Sequence, residues 1–171
     1  MNRLADVFEV LESLKSEGFL LDYAIAGAMA VLFYAEPLRT YDLDVFVLLP
    51  GDPGSLVNLT SLYRRLDEEG HKPDAEHIRI HDVPVQFLPA YNELAVEALQ
   101  EAVVKEYDAG VDVNVLRPEH LAALAVQTGG RKRREHVARL IECEGFDMPR
   151  FEGIIQRHGL TDEWRSNWSS L

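Results

Sequence analysis

Residues 41–49 read Tyr41-Asp42-Leu43-Asp44-Val45-Phe46-Val47-Leu48-Leu49, two carboxylates opening a run that is otherwise apolar. Leu43 to Leu49 has the length and composition of a buried strand, and Pro50-Gly51 terminates it. On a strand, residues i and i+2 share a face and lie about 6–7 Å apart. Asp42 and Asp44 are therefore expected side by side, pointing one way. Two carboxylates so placed repel each other and resist desolvation. Water, basic partners or a bound divalent cation would relieve them. Mg²⁺ suits such a pair, with water and substrate phosphates completing its octahedron, and Mn²⁺ would serve in its place. The bare D-x-D pattern also fits a solvated strand end in an acidic protein, so its surroundings have to decide.

Upstream, Phe19 to Ala26 is an apolar run read as a strand. Gly27 follows it and opens a short Ala-rich helix over 28–35, closed by Pro37. A strand that turns at glycine into a helix leaves backbone N–H groups free and lets an anion approach closely. Gly27 and Ala28 are thus candidate phosphate contacts. Arg39 and Thr40, just before the acid pair, are candidates to touch a substrate or brace the loop. Leu4, Val7, Phe8, Val10, Leu11 and Leu14 recur at helical spacing over 2–17 and stop at Gly18.

Downstream, an amphipathic helix is expected over 52–70 and two short strands over 77–81 and 83–88, with Asp82 between them. Pro84 suits an edge or a strand start. A helix over 91–102 precedes a hairpin, 103–107 and 111–116, turning at Asp108-Ala109-Gly110. From Pro118 onward the pattern is helical, broken by Gly129-Gly130 and again at Gly145 and Pro149. Mixed elements followed by helices alone predict an α+β fold: a mixed β-sheet with flanking helices and a C-terminal helical region. The division expected is a core over 1–116 and a helical part over 117–171 packed on it.

A chain of 171 residues, 47% apolar, can bury a sizeable core unaided. No apolar run reaches the ~20 residues that span a bilayer, and the first residues lack the apolar segment of a signal peptide. The single cysteine, Cys143, excludes an internal disulfide framework and any multi-cysteine metal site. The chain reads as soluble and cytoplasmic, with no membrane partner. A net charge of −12 and a pI near 4.9 argue against general DNA binding, because phosphate contacts need clustered Lys and Arg. The one basic cluster, Arg131-Lys132-Arg133-Arg134, reads as a solvated helix start or as a local phosphate contact. His77 and His81, four apart on a strand, do not make a zinc pair. His120 is expected as a polar surface or capping group, Cys143 within a helical apolar stripe, and Trp164 and Trp168 packed on the core.

The segment AGAMAVLFYAEPLRTYDLDVFV, residues 26–47, resembles the nucleotidyltransferase superfamily that includes AbiEii-type toxins and minimal nucleotidyltransferases. Members typically show a strand, a small-residue turn, a helix, an R-x-T-like stretch and D-x-D on the next strand. The later VNVLRPEHLAALAVQTGGRKRREHVARL, residues 113–140, is similar as well, so the resemblance covers roughly residues 20–140. It implies Mg²⁺-dependent transfer of a nucleoside monophosphate from an NTP to a hydroxyl acceptor: a small molecule, an RNA end or a protein. Asp42 and Asp44 would hold the metal, and Gly27, Ala28, Arg39 and Thr40 the nucleotide. Two departures matter. Ala28 stands where a Gly or Ser is usual. Gln86 stands at the third metal position, where active members carry an Asp. A Gln carbonyl accepts a hydrogen bond or binds a metal weakly but cannot take a proton. Asp82, ~13 Å away on a straight strand, is too far to replace it. The alternative implied is a catalytically impaired binding module, one half of a toxin–antitoxin pair.

Overall fold

The computed structural model describes residues 3–36, 40–51 and 56–168. The first helix, α1 (Arg3–Ser16), buries the stripe Val7, Phe8, Leu11 and Leu14. Gly18, at φ 84°, ends it: Gly18 N–H bonds the Lys15 carbonyl and Phe19 N–H the Leu14 carbonyl, so carbonyls of the last turn are satisfied. Phe19 to Leu21 are spent on this reversal, and strand β1 (Asp22–Ala26) is shorter than the apolar run suggests. Helix α2 (Gly27–Val31) is likewise shorter than expected. Beyond Val31 the chain continues in tight turns, with Tyr34 Oη donating to the Leu116 carbonyl at 2.9 Å.

Strand β2 (Leu43–Leu48) alternates strictly, with Leu43, Val45 and Val47 buried and Asp44, Phe46 and Leu48 half-buried on its other face. Next come α3 (Leu56–Glu68), β3 (Lys72–Asp74), β4 (His77–Ile80) and β5 (Val83–Pro89). β4 and β5 are joined at His81 and Asp82, both at positive φ, the backbone a two-residue hairpin demands. Pro84 occupies the second position of β5, the strand-start alternative, since β5 lies inside the sheet. β3 was not foreseen: all three of its residues are exposed, so it carries no apolar period. Helix α4 (Glu93–Gln100) starts on Asn92, whose side chain accepts from Ala95 N–H. β6 (Val103–Asp108) and β7 (Val111–Val115) form the expected hairpin. Helices α5 (Pro118–Thr128), α6 (Arg131–Glu142), α7 (Met148–Arg157) and α8 (Thr161–Asn167) complete the described chain. Pro149 starts α7 rather than separating helices: it sits in the first turn behind the Asp147 cap.

The strands make one seven-stranded mixed sheet in the order β3-β4-β5-β2-β1-β7-β6. β2 is the central strand, antiparallel to β1 and parallel to β5. Helix α3 covers the Val45 face, where Tyr63 meets Phe87 edge-on at 6.2 Å between ring centroids. Helices α4 and α5 lie over the opposite face, the one that bears Asp44 and Phe46. The α+β class expected from the element order is the class observed.

Two local readings are corrected. His120 is neither surface nor cap: it is 1% exposed, with Nε2 3.0 Å from Glu97 Oε1. Glu119 is buried too, accepting from Asp147 N–H at 2.8 Å. The Ala- and Leu-rich α5 is surrounded by α4, α6 and α7, so even its polar first turn is covered. Cys143 lies just past α6 in extended backbone, half-buried, and burial pushes its thiol up, away from thiolate reactivity. Trp168 is buried and Trp164 packs on the core, as expected.

Candidate active site

The sheet brings β1 to its C-terminal end where β2 begins, so Ala26 pairs with Asp44, and Asp44 pairs in turn with Gln86 of β5. In-register partners on neighbouring strands point to the same side. Gln86 therefore stands directly beside Asp44, on its face of the sheet. Asp42 lies one residue before β2, in a bend rather than on the strand. Thr40 Oγ1 braces that bend, 3.1 Å from the Asp42 carbonyl and 3.1 Å from its Oδ1. Asp42 Oδ2 is 3.6 Å from His77 Nε2. Arg39 lies outside the described residues.

Gly27 is required where it stands. Its φ is +59°, and a Cβ added there would come 2.0 Å from Asp44 Oδ2. The carboxylate thus rests directly on the turn between β1 and α2. Burial, and then the neighbouring charge of Asp42, push the Asp44 carboxyl up to about 6, against the opposing pull of His77 and Arg133.

A cavity of about 290 Å³ opens from Asp44 and Gly27. Phe46 and Leu88 from the sheet and Ala95, Leu121, Leu124 and Ala125 from α4 and α5 give it apolar walls. Tyr91, Asn92, Gln127, Thr128, Arg133 and His136 give it polar ones. The volume lies at the lower end of the range for small-molecule sites. Burial, against the opposing charge of Glu135 and with Arg133, Arg139 and Lys132 nearby, holds the His136 imidazole below its ordinary value. Tyr91 is 74% exposed.

The expected residues divide into two groups. Gly27 and Asp44 share the cavity, with Gln86 beside Asp44; Thr40 and Asp42 stand together facing His77. Ala28 follows Gly27 in α2 but is not in the cavity lining. Asp82 is exposed and pairs with Arg3 at 3.6 Å. Three neighbours went unrecognised as site residues in the sequence, His77, Tyr91 and His136; of the basic cluster offered as a solvated helix start or a phosphate contact, Arg133 is the member that lines the cavity. Arg133 and His136 had a signal, because with Leu140 they fall at i, i+3 and i+7 on one face of α6. His77 had none, since only sheet pairing brings it to Asp42.

A divalent cation fits these residues. The carboxylates are hard oxygen donors, and Asp44 is held against a turn that only glycine leaves open. Among the described residues no three His, Cys, Asp or Glu side chains close around a common point. An ion held by Asp42 and Asp44 would keep much of its shell for water and substrate oxygen.

The chain matches no protein-family profile and no curated protein sequence. Its fold is shared with solved nucleotidyltransferases. A crystal structure of ANT(2″)-Ia in complex with adenylyl-2″-tobramycin superposes with a TM-score of 0.55 at 15% identity, over 94% of this chain and 98% of that one. The solution structure of the antibiotic-resistance factor ANT(2″)-Ia gives 0.54 at 15%, over 95% and 96%. An antigenic nucleotidyltransferase-like protein from Paracoccidioides brasiliensis gives 0.55 at 17%, over 96% and 93%.

Proposed function

We propose that this protein is a nucleotidyltransferase, moving a nucleoside monophosphate from an NTP to a hydroxyl acceptor with Mg²⁺ or Mn²⁺, in the cytoplasm. The observation that carries the reading is Asp44 seated on the Gly27 turn in the cavity lining, with Asp42 near enough for its charge to raise the Asp44 carboxyl. The shared fold supports it, and one protein of that fold is bound to adenylyl-2″-tobramycin.

Asp42 and Asp44 would hold the cation, which when bound neutralises the triphosphate and polarises the leaving pyrophosphate. Thr40 orients Asp42. The Gly27 N–H at the cavity, and the Ala28 N–H that follows it in α2, would donate to phosphate oxygens, and Arg133 adds positive charge from the cavity wall. The exposed ring of Tyr91 offers a stacking surface for a base. Arg39 is proposed as a further nucleotide contact. The acceptor oxygen attacks the α-phosphorus, a P–O bond forms, the bond to pyrophosphate breaks, and the hydroxyl proton leaves to solvent. Gln86 cannot take that proton.

Gln86 beside Asp44 also favours a second reading. In it the chain binds an NTP without turning it over and acts through a partner protein, as one half of an AbiEii-like toxin–antitoxin pair. One experiment separates the two. Binding of ATP, GTP, CTP and UTP with Mg²⁺ is measured by calorimetry, and pyrophosphate release is followed with a panel of hydroxyl acceptors. Asp42→Ala and Asp44→Ala should each abolish binding. Gln86→Asp should tighten Mg²⁺ roughly tenfold, about 1.4 kcal/mol. Turnover by the unaltered chain supports the enzyme; turnover only in Gln86→Asp supports the module. NTP binding indifferent to both aspartates sinks both.

A further inference from the structure

The row of side chains across the sheet extends past Gln86. Strands β4 and β5 pair Ile78 with Val85 in antiparallel register. One step further along that ladder His77 comes opposite Gln86, and Gln86 is already paired with Asp44. His77, Gln86 and Asp44 therefore occupy one row on three adjacent strands, on one face. The His77 ring is mostly covered, its side chain 20% exposed. Its Nε2 is buried and has no hydrogen-bond partner. A buried ring nitrogen left unpaired is costly, so a fold that keeps one has a use for it or a partner absent from the chain. Asp42 Oδ2 lies 3.6 Å from Nε2, too long for a hydrogen bond. That separation is close to the spacing of two ligands on one ion: donors about 2.1 Å from an octahedral metal lie about 3 Å apart in adjacent positions.

We propose that His77 Nε2 is a third protein donor to the cation held by Asp42 and Asp44, in place of the carboxylate that Gln86 does not supply. The inference rests on the cation site proposed above. The three side chains do not yet close on one point, so binding draws His77 and Asp42 together by a few tenths of an ångström. An imidazole in the set moves the preference of the site from Mg²⁺ toward Mn²⁺ and Zn²⁺.

Pulsed electron paramagnetic resonance on the full chain loaded with Mn²⁺ alone tests this without reference to activity. The unaltered protein should show ¹⁴N coupling to the bound ion. His77→Gln should lose that coupling and bind Mn²⁺ about tenfold or more weakly, at the scale seen when metal-site partners are removed. His136→Gln should keep both, which separates His77 from the other histidine near Asp44. Circular dichroism confirms that the variants fold, and the spectrum of the unaltered chain is decisive without them. If Mn²⁺ binds in an Asp42- and Asp44-dependent way but shows no ¹⁴N coupling, His77 is not a ligand and the cation site stands. If binding does not depend on the two aspartates, the cation site falls and this inference with it.

Discussion

Gly27 carries the sharpest constraint on any single residue. Its left-handed backbone and the 2.0 Å approach that a Cβ would make to Asp44 Oδ2 exclude every other side chain without movement. Gly27→Ala should therefore lose about 1–3 kcal/mol of stability in urea titrations, the cost of holding a non-glycine residue in that region. It should also weaken Mn²⁺ binding, because the carboxylate has to shift. A variant as stable as the parent and as tight for the ion would show that Asp44 is not seated on the turn. The burial of Asp44 beside Asp42 is the complementary feature: even with His77 and Arg133 pulling the other way, its carboxyl is pushed up to about 6. A bound cation would relieve such a carboxyl and hold it ionised.

Among the elements, the contact between α4, α5 and α7 decides how the cavity is roofed. Glu97 of α4 sits at its centre. His120 Nε2 lies 3.0 Å from its Oε1 and His158 Nε2 2.7 Å from its Oε2, while Arg157 donates to both oxygens, at 2.6 Å and 3.1 Å. Arg157, with the two histidines assisting, holds the Glu97 carboxyl far below the usual carboxylate range. A depressed carboxylate adds stability above its unfolded value of 4.5, and that stability is lost as pH falls below it. His120 acts in the same direction: burial depresses its value from 6.5, so protonation in acid favours the unfolded chain. Glu97→Gln should cost about 1–3 kcal/mol at pH 7. The gap from the parent should narrow between pH 4.5 and 3, as read from urea midpoints across pH. A constant gap would mean that Glu97 contributes shape rather than charge. None of this was visible locally. His120 read as a polar surface or capping group, and only the packing of α5 among three helices buries it and Glu119. The strands were more legible, because the strict alternation of β2 and β7 is itself a consequence of facing a core. β3 escaped because an exposed edge strand has no such face.

At the scale of the whole molecule, a net charge of −12 opposes the approach of a triphosphate. NTP binding should therefore depend on a divalent cation throughout: adding EDTA should weaken ATP affinity by ~100-fold or more, about 2.7 kcal/mol, in calorimetric titrations. Affinity preserved in EDTA would place the phosphates on Arg133 and the backbone instead. No described helix is long and apolar enough to cross a membrane. Local patterns along the chain carried the element order apart from β3, the α+β class, the buried strand that follows Asp42 and the choice of Gly27 and Asp44 as candidates, because apolar period, glycine and proline act over a few residues. Packing of the whole chain was needed to put Asp42 in a bend before the strand, Gln86 in register with Asp44, His77 3.6 Å from Asp42, and Arg133 and His136 of α6 in the cavity wall. Those contacts join residues tens of positions apart. Sheet order and helix docking set them, and no local pattern in the chain encodes a register between strands that meet only after the core has formed.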